Sequence, residues 1–398
     1  MQREIKILTA RDLKPEVAVI VGTRPGIVML APIIHELRNR GLQHFVIHTG
    51  QHYSPNMDGQ FFADLQLPTP DFRLEGVAEK RTHGGQTAAM LEGIENILLE
   101  RRPKLILVGG DANTNLAGAL AARKLHIRVG HVEAGERSFD WRMPEEHNRV
   151  LIDHISDYLF ITGENARRNL ETESVKGRIC MTGNPIVDAS KQHYELAKLR
   201  SSAIRRFGLR PDGYALLTMH REENVDDEDR LRGGLQGVSL AAEHANIPVL
   251  FLAHPRTLKR LKEFRLEDWA KRLPHIRLAA AVGYLDFLAL IGSARLVFTD
   301  SGGVQQEACI HHVPCVTLRD NTEWTETLDI GANRLSGCVP AVIAAATQQA
   351  LSTGREWVVP FGDGGAARRI VDCVAADLAA GDGGSRTDPE ERGALALR

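Results

Sequence analysis

Aromatic side chains are scarce in this sequence, 5% of 398 residues. A platform that stacks nucleobases needs several of them close together, so single-stranded nucleic acid is a poor candidate ligand. Charge of either sign is not in excess: 49 Lys and Arg against 51 Asp and Glu leave a net −2, and no basic field is present to attract a nucleic-acid duplex. The five cysteines, Cys180, Cys309, Cys315, Cys338 and Cys373, are scattered and none forms C-x-x-C. That pattern indicates neither a zinc site nor a disulfide framework, and it suits reduced thiols in the cytoplasm. No apolar run approaches the ~20 residues of a membrane span. Met1-Gln2-Arg3-Glu4-Ile5-Lys6 carries charges before any apolar stretch builds, which is not how a secretory leader begins.

What the chain does have is alternation. Short β-branched and leucine-rich runs recur: Val17 to Val21, Phe45 to Ile47, Leu105 to Val108, Arg128 to Val132, Tyr158 to Ile161 and Arg178 to Met181, then Tyr214 to Thr218, Val249 to Leu252, Ile276 to Leu278, Leu296 to Phe298 and Pro314 to Leu318. Longer helix-like stretches separate most of them, such as Gly85 to Glu100 and Asp229 to Glu243. Such a pattern predicts parallel α/β structure. With 43% apolar content over 398 residues, the chain exceeds one small core and implies two domains, each a doubly wound parallel sheet facing a central cleft. The expected units are residues 1–185, residues 186–361, a C-terminal helix over 362–378, and a disordered tail over 379–398 that is rich in Gly, Asp, Glu and Arg.

Ligands of such sheets sit at the carboxyl ends of the strands, and chemistry-bearing residues fall there. Thr299-Asp300-Ser301-Gly302-Gly303-Val304-Gln305-Gln306-Glu307 follows an apolar run and leads into a helix. Strand, small-residue turn and helix together aim backbone N–H groups at an anion, and Glu307, about a turn further on, suits a ribose. The competing account is an ordinary capped helix, with Asp300 or Ser301 as the cap. After the first strand, Gly22-Thr23-Arg24-Pro25-Gly26 places an arginine where a phosphate fits. This turn lacks both G-x-G-x-x-G and the P-loop Lys-Ser/Thr, which argues against dinucleotide binding and P-loop hydrolysis.

Gly110-Asp111 and His131-Val132-Glu133 close two further strands, and period-two alternation predicts that His131 and Glu133 share a face. Pro144-Glu145-Glu146 opens a helix with Arg149 one turn on; first-turn acids are otherwise explained as partners of the helix dipole. Three carboxylates from separate strand ends, Asp111, Glu133 and Glu145, point to proton transfer. His220 and His254 end successive strands of the second half and, with Ser301, argue for a shared anion site. Arg319 follows another strand and would add a guanidinium. No recognised metal spacing occurs, so no metal is expected.

As a set these motifs resemble the non-hydrolysing UDP-N-acetylglucosamine 2-epimerases, which have the GT-B fold of two Rossmann-like halves. The resemblance runs from about Val17 to Arg369. It is carried by Gly22-Thr23-Arg24-Pro25, His48-Thr49-Gly50-Gln51-His52, Gly110-Asp111, His131-Val132-Glu133-Ala134-Gly135, Pro144-Glu145-Glu146, Gly183-Asn184, His220-Arg221, Thr299 to Gly303 and Leu318-Arg319-Asp320. It implies catalytic roles for Asp111, Glu133, Glu145 and His220. It implies phosphate contacts from Arg24, His254, Ser301, Gly302 and Gly303, a ribose contact from Glu307, a place near the base for Phe287, and substrate contacts from Arg149 and Arg319. In that family C2 loses a proton as UDP leaves C1, and UDP then returns with C2 inverted, without metal or nicotinamide.

The chain departs from the family pattern at Gly26 and Met29, where the family has Glu and Lys, at Ala112 for Thr, at Glu136 for Leu and at Gln306 for Glu. The expected ligand is a nucleotide-diphosphate sugar, with UDP or GDP as the nucleotide, and the expected assembly is a homodimer. A glycosyltransferase on the same scaffold, using a small-molecule acceptor that Glu136 could face, is the rival reading; a hydrolysing relative and a non-catalytic sugar-nucleotide sensor are further ones.

Overall fold

Val17-Ala18-Val19-Ile20-Val21 has no polar face to offer water, and in the computed structural model it forms a fully buried central strand. The structure describes residues 16–51 and 61–381; the opening residues, His52 of the fourth motif and the tail beyond Gly381 lie outside them. Seven strands build the first sheet: β1 (Val17–Val21), β2 (His44–His48), β3 (Phe72–Arg73), β4 (Leu105–Gly109), β5 (Arg128–Ala134), β6 (Tyr158–Ile161) and β7 (Arg178–Met181), in the order 3-2-1-4-5-6-7. Six build the second: β8 (Ala215–Thr218), β9 (Val249–Ala253), β10 (Ile276–Ala280), β11 (Leu296–Thr299), β12 (Cys315–Thr317) and β13 (Asn333–Leu335), in the order 10-9-8-11-12-13. Every pairing between described strands is parallel. Two such sheets, helices on both faces, make the GT-B architecture.

In each sheet the strand order reverses once, between β1 and β4 and between β8 and β11. Adjacent strands at a reversal send their connections to opposite faces, and a crevice opens at their carboxyl ends. Gly22 to Arg24 and Gly110-Asp111 flank the first crevice; His220 and Ser301 flank the second.

The chain passes from one sheet to the other through Gly183-Asn184 and the helix Pro185–Arg200, which packs against the first-half helix Arg24–Asn39 and the second-half helices Tyr284–Gly292 and Gly302–Ile310. It returns at Phe361-Gly362. The last helix, Ala366–Gly381, lies against the first half again and runs into the stretch expected as tail. Arg369 Nη1 donates to Thr182 O at 3.0 Å, Tyr158 Oη donates to Asp377, and Arg40 pairs with Asp372 at 2.5 Å. Ile370, Val371, Val374 and Leu378 of this helix join the core beneath β1 and β4. No helix among the described residues is long and apolar enough to cross a membrane.

One expectation fails in β5. The register of β5 against β6 shifts between Val132 and Ala134, and Glu133 takes a left-handed φ of 69°. This β-bulge breaks the alternation. His131 bonds Asp153 of the helix Pro144–Ile155 at 2.7 Å, whereas Glu133 meets Asn184 at the start of the helix Pro185–Arg200. The two side chains therefore leave on different faces.

Candidate active site

The helix Arg24–Asn39 begins with Thr23 as its cap, the hydroxyl accepting from Gly26 N at 3.3 Å, and with Pro25 in its first turn. Arg24 thus stands at the positive end of a helix dipole. A cation there is unfavourable by itself and is offset when an anion sits between. Gly22, just before, is obligatory: a Cβ would fall 2.0 Å from the Thr49 hydroxyl and 2.3 Å from that of Thr114, which bond each other at 2.8 Å.

Across the cleft the helix Gly302–Ile310 starts with no side-chain cap from Ser301. Its first-turn N–H groups are the orphans of every helix start, and they meet a positive dipole end suited to phosphate. A Cβ on Gly303 would find nothing within 4 Å, leaving room for a ligand. A Cβ on Gly302 would strike the Glu323 carboxylate at 2.2 Å. Asp300, expected as a candidate cap, instead accepts from the backbone N–H of His220 (2.9 Å) and Arg221 (2.9 Å) and lies 3.2 Å from His220 Nδ1. Burial would raise its pKa, but the His220 ring and these hydrogen bonds outweigh that and lower it. Asp300 therefore orients His220 with its other ring nitrogen toward the cleft. His254 stands beside it, ring centres 5.5 Å apart, and caps the next helix through Nδ1, which accepts from Arg256 N at 3.2 Å.

The carboxylates occupy the opposite wall. Asp111 pairs with Arg149 at 2.6 Å. Arg149 also pairs with Glu146 at 2.6 Å, and Glu146 accepts from the backbone of Ser138 and Phe139, so Glu146 is a loop anchor. Glu145 faces Arg221 at 3.6 Å. Glu133 accepts from Asn184 Nδ2 at 2.6 Å and from Gln306 Nε2 at 3.4 Å. Burial, only partly countered by the Asn184 hydrogen bond, raises its pKa to about 8.

Arg24, Asp111, Glu133, Glu145, Arg149, His220, His254, Ser301, Gly302 and Gly303 all line one cleft of about 1050 Å³. Phe287 and Glu307 line an adjoining recess of about 410 Å³ that shares Arg24, Ser301 and Gly303 with it. Burial raises the Glu307 pKa to about 8.

Arg319 stands apart from these residues. It is wholly buried and lines neither space. Its guanidinium bonds Glu323 at 2.9 Å and Asn321 at 3.1 Å. A strand-end position puts it near the site, but a buried carboxylate four residues on claims its charge. Glu323 does line the cleft. Burial would raise its pKa; Arg319, Arg149 and Arg221 outweigh this and hold it at about 2.

Glu136 is not a solvated carboxylate, and it stands among the residues that line the cleft. It is 3% exposed and is bonded by Thr162, and burial with neighbouring Glu326 raises its pKa well above the usual range. Met29 is buried on the cleft wall, and its Cε and Glu133 Oε1 approach the same point, 3.7 and 3.8 Å from where a Cβ on Gly110 would stand. Sequence reasoning missed Glu323, and it flagged Asn184 and Arg221 only as motif members. For Arg221 the signal was its place right after a strand-end histidine. Glu323 carried none: its partner Arg319 is only four residues away, but nothing in the local pattern marks the pair as buried against Arg149 and Arg221. Among the described residues no group of three or more His, Cys, Asp or Glu is arranged to hold a metal ion.

The chain is similar to known proteins over most of its length. A family model described as UDP-N-acetylglucosamine 2-epimerase matches residues 35–375. The UDP-N-acetylglucosamine 2-epimerase of Methanocaldococcus jannaschii is 48% identical over 359 residues, 89% of this chain and 98% of that protein. The UDP-2,3-diacetamido-2,3-dideoxy-D-glucuronate 2-epimerase of Pseudomonas aeruginosa is 37% identical over 367 residues, 90% of this chain and 99% of that one. The crystal structure of the M. jannaschii enzyme in complex with UDP-GlcNAc and UDP superposes with a TM-score of 0.86 at 48% identity, covering 91% of this chain and 99% of that chain.

Proposed function

Because the chain belongs to the UDP-N-acetylglucosamine 2-epimerase family, we propose that it inverts C2 of UDP-N-acetylglucosamine by elimination and re-addition of UDP. The observation that carries the reading is one cleft with two chemistries on facing walls. Carboxyl groups in unlike surroundings stand on one side. An anion-binding helix start and two histidines stand on the other, while Arg24, just after β1, lies on the carboxyl side. The relatives named above support an isomerase over a glycosyltransferase.

In this reading the diphosphate lies against the first turn of the helix Gly302–Ile310, with Arg24, His220 and His254 around it, and the nucleoside enters the recess of Phe287 and Glu307. A carboxylate takes the C2 proton, the C1–O bond breaks, and its electron pair leaves with UDP. The electrons of the C2–H bond form the C1=C2 bond of a glycal. UDP then re-adds at C1 while a carboxylic acid returns a proton to the opposite face of C2. Asp111 in its ion pair with Arg149 suits the base. Glu133, protonated up to about pH 8 by its surroundings, suits the acid. Glu145 is the third member of this set. His220, oriented by Asp300, assists the departing phosphate. A cytoplasmic homodimer belongs to the same proposal and rests on the family resemblance.

The test is incubation with UDP-N-acetylglucosamine in deuterated water with C2 followed by NMR. Deuterium at C2 together with the C2-inverted product is expected. Turnover without exchange, or a glycosylated acceptor in its place, would overturn the reading.

A further inference from the structure

Asn184 sits where the two halves join. Its backbone N–H donates to Phe361 O at 2.8 Å, so the outgoing and returning crossovers are bonded to each other. Both crossovers carry a left-handed glycine, Gly183 with φ 80° and Gly362 with φ 106°. A Cβ on Gly362 would come within 3.2 Å of Gly183 Cα, a spacing that only glycine permits without displacement. Asn184 itself is completely buried. Its Oδ1 accepts from Ile186 N at 3.0 Å, capping the helix Pro185–Arg200, and its Nδ2 donates to Glu133 Oε2 at 2.6 Å.

The backbone carbonyl of Asn184 accepts from Val187 N at 3.0 Å, and its other three hydrogen-bonding groups are committed one to the return crossover, one to the linking helix and one to the bulged carboxylate. We propose that Asn184 is a positioning residue for the epimerisation, holding the Glu133 carboxylate in fixed relation to the joint between the halves. The inference rests on the functional reading above and assigns a role that the sequence motif did not suggest. Glu133 needs such a hold. Its backbone is off the strand register, and its other bonded neighbour, Gln306 at 3.4 Å, belongs to the second half. Without the Asn184 amide the carboxylate is free to rotate toward Gly110, and a misplacement of about 1 Å costs a catalytic group much of its effect.

The charged groups facing Glu133 are Asp111 after β4, Arg149 from the helix Pro144–Ile155 and Glu136 after β5; Gln306 and Met29 face it uncharged. Arg149 is engaged by Asp111 and Glu146, so Asn184 is the nearest dedicated donor. A donor to the ionised form favours that form.

The test uses Asn184→Ser. Serine keeps the helix cap and the backbone bond to Phe361, but its side chain is too short to reach Glu133. Thermal unfolding should stay near wild type. The Glu133 carboxyl, followed by carbon NMR and assigned by its loss in Glu133→Gln, should titrate at higher pH. The kcat for C2 inversion should fall on the order of 10-fold or more with little change in KM, and its pH profile should move the same way as the titration. Asn184→Asp keeps the cap and sets a second acid beside Glu133, so it should raise the titration further. An unchanged Glu133 titration with unchanged kcat in Asn184→Ser would reduce Asn184 to a helix cap and overturn the inference. A wild-type protein that leaves C2 untouched overturns the functional reading instead, and the titration then decides the Asn184 contact on its own.

Discussion

Glu133 links burial to protonation. In the folded protein its neutral form persists to about pH 8, whereas an unperturbed glutamate ionises near 4.5. Between those values the folded state holds a proton that the unfolded chain has lost. Stability on this account is intact below about pH 4.5 and declines as pH rises to about 8. Glu133→Gln removes the titration. It should match wild type at pH 4.5 and stabilise by roughly 2–4 kcal/mol above pH 8, read from urea unfolding at both pH values. Arg319 makes the opposite case. Arg319→Met leaves Glu323 buried without its partner and should cost roughly 3–5 kcal/mol. The double variant with Glu323→Gln should recover part of that loss in the same unfolding assay. What the sequence made legible at this scale was position: residues at the tips of predicted strands come together in one cleft. Partnership was not legible: Asn184 meets Glu133 only across the fold, and the Arg319–Glu323 pair, though four residues apart, lies in no periodic run that marks it as buried.

Helix starts line much of the candidate site. Ser301→Asp would put a carboxylate on the uncapped start of the helix Gly302–Ile310. That charge suits the dipole, so the fold should tolerate it, while a bound diphosphate would be repelled. Calorimetry with UDP should show binding lost with thermal stability unchanged or raised; unaltered affinity would remove the phosphate from this helix. Most elements were readable from runs and periodicity. The exceptions have local causes. β3 and β13 span two and three residues, too short for a pattern to register. The bulge at Glu133 is set by contacts on either side of the sheet rather than by alternation along it.

At the scale of the molecule, the first half is closed by the last helix. Ile370, Val371, Val374 and Leu378 fill the core that β1, β4 and the helix Arg24–Asn39 begin. Removing the chain after Gly365 would expose those surfaces and forfeit several kcal/mol at about 1.5–3 kcal/mol per fully buried aliphatic side chain. Hydrogen exchange should then show protection lost from β6, β7 and the helix Arg24–Asn39, with β8, β9 and β11 retaining theirs. The alternation of strands and helices announced two sheets, but not this return of the chain, since an amphipathic helix does not say which sheet it will cover. The arrangement also orders events during synthesis. The second half has its strands complete at Leu335, while the first, although made earlier, still lacks part of its core until Leu378 has left the ribosome. The half that is translated first is thus the half that finishes folding last.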